Sequence, residues 1–199
     1  MAAVVDVRLA GKDDLPDIGE QLALAFDDDP LTVSLIPPGS RRREARLASF
    51  LRLGAKGALE YGEVWTTPDR AATAVWRAPG QWKVRGIDAL KGSPGVTRAL
   101  GRNVVKGLRM LQTLEAKHPS EPHWYLEILG TAPTSQGQGL GSAAMAPVLG
   151  RCDHDGLGAY LESSKEANVP YYQGHGFAVT EELPLPGGPS VWLMWRDPR

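Results

Sequence analysis

Alternation of apolar and polar residues predicts several short strands. The segment Val4–Leu9 alternates as a half-buried strand does. The segments 63–67 and 71–77 each carry a valine and a tryptophan and are separated by a proline and an aspartate, which predicts an antiparallel hairpin. Four further strands are predicted in the C-terminal half, over 124–130, 159–163, 177–183 and 191–195.

Two helices are predicted on either side of a break in the N-terminal part of the chain. The first follows an aspartate pair at positions 13–14 that offers N-cap chemistry, and its apolar residues recur every three or four positions. After the break at Asp29 and Pro30, the second helix is predicted from Arg41 to Lys56 and ends near Gly57.

The segment 78–120 gives the weakest pattern. It is rich in glycine and proline at its start and is predicted to be helical from about Val96 to Lys117. Either an insertion that covers a substrate or a pair of packing helices fits this pattern. Two more helices are predicted over 139–152 and 169–174. The order of these elements favours an α/β fold whose mixed sheet has a βαβ unit at its centre.

Composition and charge exclude several classes of protein. The 199 residues suit a single domain over 1–199, and 42% hydrophobic with 23% charged residues is typical of a globular chain. A net charge of −1 favours neither nucleic acid nor an anionic membrane as a partner. With one cysteine, no long apolar segment and no metal-ligand spacing among four histidines, we expect a cytoplasmic monomer or homodimer without a metal.

A glycine-rich turn, LGTAPTSQGQGLGS from Leu129 to Ser142, carries the clearest chemical signal. It places Gly137, Gly139 and Gly141 between a predicted strand and a predicted helix. Glycine allows a positive φ and a close approach of the backbone to a ligand, and the first N–H groups of a helix point outward at the positive end of its dipole. The turn is therefore predicted to bind an anionic group.

Two other nucleotide-binding motifs compete for this turn. A Walker A loop needs a lysine after its second glycine, whereas Leu140 follows Gly139. A dinucleotide fingerprint needs G-x-G-x-x-G, whereas the chain has G-x-G-x-G, although Glu162 lies where the ribose-binding acid is expected. A dinucleotide-binding oxidoreductase or regulator is thus one alternative function, and a non-catalytic acyl-CoA sensor is another.

The turn and a second segment resemble the GNAT superfamily of N-acetyltransferases. Gln136, Gly139 and Gly141 match the pyrophosphate loop of that superfamily. Leu129 and Pro133 precede the loop as the pattern of the superfamily expects. Its second signature, an Asn followed by a Tyr and then Gly-Phe, is matched by Asn168, Tyr172, Gly176 and Phe177. The length and both terminal parts of the chain also look like the puromycin N-acetyltransferase group, although 78–120 fits it poorly.

This resemblance implies a GNAT fold, with a central twisted mixed sheet of about six or seven strands flanked by helices. It implies transfer of an acetyl group from the co-substrate acetyl-CoA to a primary amine of a small molecule, with the coenzyme signatures lying in 124–177. Asn168 is implied to bond the pantetheine arm. The remaining implied coenzyme contacts are backbone groups freed by a splayed strand at Leu129, Gly130 and Thr131, and amides of the turn at Gln136, Gly137, Gln138, Gly139, Leu140, Gly141 and Ser142.

Glu127 is the candidate general base. An alkylamine has a pKa of about 10.4, so a base must remove a proton before the amine attacks at neutral pH. Glu127 lies within an apolar strand, at a position similar to that of a glutamate in polyamine acetyltransferases of the superfamily. Strict alternation would place Tyr125 on its side of the strand and Ile128 on the opposite side. The alternative is an edge-exposed or ion-paired glutamate.

Tyr172 is the candidate general acid. The resemblance places its phenol beside the departing thiolate of coenzyme A, and a phenol with a pKa of about 10 is protonated at neutral pH. The adjacent Tyr171 is expected to point elsewhere. Glu162 is interpreted either as an acceptor-binding group or as a partly exposed carboxylate at a strand end.

Overall fold

The computed structural model describes residues 5–82 and 94–199, except for the side chain of Tyr61. The strands that form the sheet are β1 Arg8–Leu9, β2 Gly62–Thr66, β3 Ala72–Arg77, β4 His123–Thr131, β5 Gly158–Ser163, β6 Ala178–Pro184 and β7 Ser190–Arg196. The helices are α1 Leu15–Ala25, α2 Pro30–Leu35, α3 Arg43–Tyr61, α4 Pro94–Leu100, α5 Val104–Lys117, α6 Leu140–Asp155 and α7 Val169–Gly174.

The strands form one mixed sheet of seven strands in the order β1-β2-β3-β4-β5-β7-β6. The neighbours β4 and β5 run parallel, and helix α6 connects them. The other neighbouring strands pair antiparallel. The predicted α/β class, the strand number and the central βαβ unit are therefore confirmed.

Two hydrophobic cores cover the two faces of the sheet. On one face, which we call the α3 face, residues of α1 and α3 such as Ile18 and Leu51 pack with Val75 and Tyr160 of the strands. On the other, which we call the α6 face, residues of α6 such as Met145 pack with a separate set of strand residues and with Tyr172 of α7. Burial on both faces explains why the central strands are mostly apolar.

The N-terminal elements differ from the sequence prediction in their bounds. Strand β1 contains only Arg8 and Leu9, and the predicted start at Val4 lies outside the described residues. Helix α3 continues to Tyr61 rather than ending near Gly57. A Cβ atom at Gly57 would lie 3.1 Å from the Arg77 guanidinium, so this glycine allows close packing and does not end the helix.

Asp29 and Pro30 begin a helix instead of marking only a break. The Asp29 carboxylate accepts hydrogen bonds from the amides of Leu31 and Thr32, both at 3.0 Å, and Pro30 occupies the first helical position of α2. An aspartate N-cap followed by proline is a common helix start, because proline lacks only an N–H that the helix leaves unpaired there.

The predicted helix over Val96–Lys117 is two helices. A short 3-10 segment, Gly101–Asn103, separates α4 from α5, and Gly101 has a φ of +56°. A packing helix pair therefore fills the later part of the segment 78–120, whereas its part over 83–93 lies outside the described residues. Within the described ranges, none of the helices combines the length and apolar character needed to span a membrane.

Candidate active site

A split opens between the two central parallel strands. Their pairing runs from His123 opposite Gly158 to Leu126 opposite Leu161. Beyond that point β4 continues to Thr131 while paired with β3, so its other edge leaves β5. The split exposes strand edge at the end from which the glycine-rich turn and helix α6 follow.

A β-bulge at Glu127 lies where the split begins. Leu126 pairs with Trp76 and Ile128 pairs with Val75, so β4 has one more residue than β3 at this point. A bulge shifts the alternation of side chains by one position. Ile128 consequently packs in the core of the α3 face, on the same side as Tyr125, and the prediction that it lies on the opposite side was wrong.

The glycine-rich turn presents a row of unpaired amides. Gly137 and Gly139 have φ values of +75° and +78°, a conformation that side chains with a Cβ rarely adopt. The backbone N–H groups from Gln136 to Ser142 donate no hydrogen bond to any residue that the structure describes. The last of them belong to the first turn of α6, where the helix dipole is positive. The turn therefore has the geometry of an anion-binding site.

Close packing fixes the start of α6 beside this turn. A Cβ atom at Gly141 would lie 3.0 Å from the Tyr171 hydroxyl and 3.2 Å from Oγ1 of Thr131, so a larger residue would displace one of them. The hydroxyl of Ser142 is 3.2 Å from that of Tyr171. Tyr171 thus points to the turn, a position that its place in the sequence motif did not reveal. The Thr131 carbonyl accepts a hydrogen bond of 3.2 Å from the Gln136 side chain.

A cavity of about 500 Å³ adjoins the first turn of α6. Ser142, His175, Arg196 and Arg199 are among its lining residues. Both terminal nitrogens of Arg196 donate hydrogen bonds of 2.8 Å to the Asp153 carboxylate, so the charge of Arg196 is neutralised within the protein. Burial, together with the two arginine charges, lowers the pKa of His175. The cavity is consequently bordered by cationic and neutral groups next to the unpaired amides.

Tyr172 lies in the core of the α6 face and is 9% exposed. Burial, then its neighbour Tyr171 and the charge of Asp29, raises the pKa of Tyr172 well above the ordinary value. The phenol therefore keeps its proton throughout the neutral and moderately alkaline range.

Asp29 is itself buried and accepts a hydrogen bond from the Ser164 hydroxyl, which joins the loop before α2 to the end of β5. Asn168 is exposed at the start of α7, and its side chain makes no capping hydrogen bond.

Glu127 forms an ion pair with Arg77. Its Oε2 accepts a hydrogen bond of 2.6 Å from Nε of Arg77, and a terminal nitrogen of this arginine bonds the Gly54 carbonyl at 3.3 Å. The Glu127 side chain is 27% exposed and that of Arg77 is 12% exposed. The structure thus shows the arrangement that the sequence left open as the alternative to a free base.

A second carboxylate lies across the split. Glu162 lies near the end of β5, and its side chain is 9% exposed. Its Oε1 is 3.7 Å from Nδ1 of His118, which comes from the end of α5. Tyr160, on the same strand and face, is almost fully buried, and its hydroxyl has no hydrogen-bond partner among the described residues. Sequence reasoning named Glu162 as a possible acceptor-binding group, but its proximity to His118 joins distant parts of the chain and was not predicted.

Comparison with known protein families agrees with this geometry. The acetyltransferase (GNAT) family model matches residues 62–177, which is more than half of the chain. The matched range includes the hairpin β2–β3, both parallel strands, the glycine-rich turn and α7. The chain therefore belongs to the GNAT family of acetyltransferases and is an N-acyltransferase; enzymes of this family generally use acetyl-CoA.

Individual relatives agree on the family and differ in their acceptors. An uncharacterized N-acetyltransferase of Schizosaccharomyces pombe is 35% identical over 69 residues, which are 35% of this chain and 28% of the yeast protein. The chain thus spans less than a third of this relative's length. A crystal structure described as histone acetyltransferase HPA2 and related acetyltransferase from Corynebacterium glutamicum has a TM-score of 0.74 at 23% identity and covers 98% of this chain and 97% of its own. A crystal structure described as mosquito arylalkylamine N-acetyltransferase like 5b has a TM-score of 0.62 at 16% identity and covers 97% of this chain and 99% of its own. These comparisons do not support puromycin specificity.

Proposed function

We propose that this chain, acting as a single domain, transfers the acetyl group of acetyl-CoA to a primary amine of a small molecule by direct attack. The observation that carries the proposal is the row of unpaired amides from Gln136 to Ser142 at the end of the split between β4 and β5. A diphosphate supplies the oxygen acceptors that these donors lack.

The remaining parts of the coenzyme have candidate partners around the same turn. The edge of β4 from Leu129 to Thr131, which faces the split, offers backbone groups to the pantetheine arm, and Asn168 offers a free side-chain amide. Gln136 anchors the turn to β4. The cavity beside α6 lies next to the amides and has Arg199 at its border, so we assign it to the adenosine end of the coenzyme.

The chemistry needs one proton acceptor and one proton donor. The ammonium of the acceptor loses a proton to a base, and its lone pair then forms the C–N bond to the thioester carbonyl carbon. The C–S bond breaks, and the thiolate takes a proton from Tyr172, which remains protonated because its pKa is raised. Glu127 is the base implied by family resemblance, and Glu162 is the other carboxylate at the split.

A screen of acetyl-CoA-dependent thiol release tests this function. We expect CoA release with at least one amine from a panel of phenethylamine, agmatine, spermidine, puromycin, an aminoglycoside and a peptide with a free N-terminus. We also expect acetyl-CoA to raise the Tm, because a ligand that binds only the native state stabilises it.

Two outcomes of the screen would favour other functions. Stabilisation by NAD(P)H without stabilisation by acetyl-CoA would indicate the dinucleotide-binding alternative. Stabilisation by acetyl-CoA without thiol release for any amine of the panel would indicate a non-catalytic acyl-CoA sensor.

A further inference from the structure

Two carboxylates flank the start of the split on the same face of the sheet. The last paired residues are Leu126 and Leu161, and the next residue on each strand is a glutamate, Glu127 on β4 and Glu162 on β5. Glu127 contacts Arg77 on the α3 face, and Glu162 pairs with Leu193, which packs in the core of that face. A thioester held in the split would therefore have one carboxylate on each side.

The two carboxylates differ in their partners. Accepting a proton at Glu127 would leave the Arg77 guanidinium without its anion in a partly buried position, which is costly. Among residues 5–82 and 94–199, Glu162 has no such cation within bonding distance, since its separation from His118 is 3.7 Å, longer than a hydrogen bond. A buried carboxylate without a close cation is itself costly and would be stabilised by a cationic ligand.

The aromatic residues beside Glu162 also suit a cation. Burial, then the charges of Glu162 and Glu127, raises the pKa of Tyr125. Burial, then the charge of Glu162 and the contact of the hydroxyl with that carboxylate, raises the pKa of Tyr160, whose buried oxygen accepts no hydrogen bond from a described residue. Phenol rings and an unpaired hydroxyl next to a carboxylate favour an ammonium group.

Two hydrogen-bonded histidines lie beside Glu162. Nδ1 of His123 is 2.6 Å from the Glu121 carbonyl, which can only accept, so this nitrogen carries the proton. Because burial lowers the pKa of His123, the ring is neutral and its Nε2 is an acceptor. The Nε2 of His118, at 3.0 Å, must then donate. This leaves Nδ1 of His118 as the nitrogen that faces Glu162 and is able to take a proton from it.

We propose, on the basis of the proposed function, that Glu162 rather than Glu127 takes the proton from the acceptor, which is a primary alkylammonium bound against the Tyr160 hydroxyl. One N–H bond of the ammonium breaks and one O–H bond forms at Glu162, which leaves a neutral amine to attack the thioester. His118 is a positioning residue whose Nδ1 faces Glu162, and His123 fixes its tautomer. Glu127 holds Arg77 against α3.

Matched variants at the two glutamates test this assignment. At about pH 7 we expect Glu162→Gln to lower kcat/KM for the best amine of the panel about 10²-fold and Glu127→Gln to lower it less than about tenfold. The acetyl-CoA-induced shift in Tm should be the same in both variants, because neither group contacts the turn.

The pH profile separates loss of a base from loss of structure. Without Glu162 the variant depends on amine that is already neutral, a fraction that rises with pH towards a pKa of about 10.4. The defect of Glu162→Gln should therefore shrink steadily between about pH 7 and about pH 9.5, while that of Glu127→Gln stays constant. The other titratable groups near Glu162 are His118, His123, Tyr125, Tyr160, Glu127 and Glu181. The Glu162→Gln variant keeps all of these groups, and the Glu127→Gln variant lacks only Glu127.

Tyr160→Phe provides a second measurement if Glu162→Gln folds poorly. Its hydroxyl makes no hydrogen bond of normal geometry with a described residue, so we expect little change in Tm together with a severalfold higher KM for the amine and an unchanged KM for acetyl-CoA. A larger loss in Glu127→Gln than in Glu162→Gln, a Glu162→Gln defect that is independent of pH, or an unchanged amine KM in Tyr160→Phe would overturn the proposal. Absence of thiol release by the wild type with every amine would instead refute the proposed function.

Discussion

Gly139→Val is expected to raise the Kd for acetyl-CoA about 10³-fold. Valine is strained at a φ of +78°, so the turn must change its backbone conformation and redirect its amides. Charge-assisted hydrogen bonds contribute about 2 kcal/mol each, and losing two of them corresponds to this factor. Isothermal titration calorimetry with acetyl-CoA measures the change directly.

Gly150→Val is the matched control for this variant. Gly150 lies on the same helix, α6, at an exposed position where a Cβ atom would meet nothing within 4 Å. Valine has a higher helix propensity than glycine, so this variant should keep both the Tm and the Kd of the wild type. Equal Kd values for Gly139→Val and the wild type would show that the amides of the turn do not hold the coenzyme.

Tyr172→Phe is expected to lower kcat about 10³-fold while leaving the Kd for acetyl-CoA nearly unchanged. Phenylalanine fills the same buried space in the core of the α6 face but has no proton to donate to the thiolate. The retained packing should keep the Tm close to that of the wild type. Steady-state kinetics with the best amine, combined with calorimetry, separate the chemical step from binding.

Tyr171→Phe is the matched control for Tyr172→Phe. Tyr171 is adjacent in sequence, but its hydroxyl lies beside Ser142 at the start of α6. We therefore expect this change to affect the KM for acetyl-CoA at most severalfold and to leave kcat nearly unchanged. A similar fall in kcat for both tyrosine variants, or a parallel loss of kcat and coenzyme affinity in Tyr172→Phe, would contradict the assignment of Tyr172 as the acid.

The bulge at Glu127 explains why the faces of β4 were predicted incorrectly. Period-two alternation assigns Ile128 and Tyr125 to opposite sides, yet one inserted residue places both on the α3 face. A bulge depends on the register with the neighbouring strand, and β3 lies about fifty residues earlier in the chain, as the separation of 50 between Arg77 and Glu127 shows. The local pattern of apolar and polar residues does not indicate that register.

The structural roles predicted for glycines were correct at two positions and wrong at a third, for a related reason. Gly137 and Gly139 were assigned correctly to a turn, because a positive φ is a property of the local backbone. Gly57 was read as a helix end, whereas it allows the Arg77 guanidinium to approach α3. The same residue type therefore serves a local purpose at one position and a long-range purpose at another, and only contacts distinguish the two.

The sequence by itself determined the α/β class, the hairpin, the glycine-rich turn and the family, because these depend on short-range spacing of residue types. Only the tertiary structure decided which glutamate at the split has a cationic partner among the described residues and which tyrosine faces the turn. Arg77 and His118 reach Glu127 and Glu162 from distant parts of the chain. The charge state and the freedom of a carboxylate depend on what surrounds it in space, and folding alone brings those neighbours together.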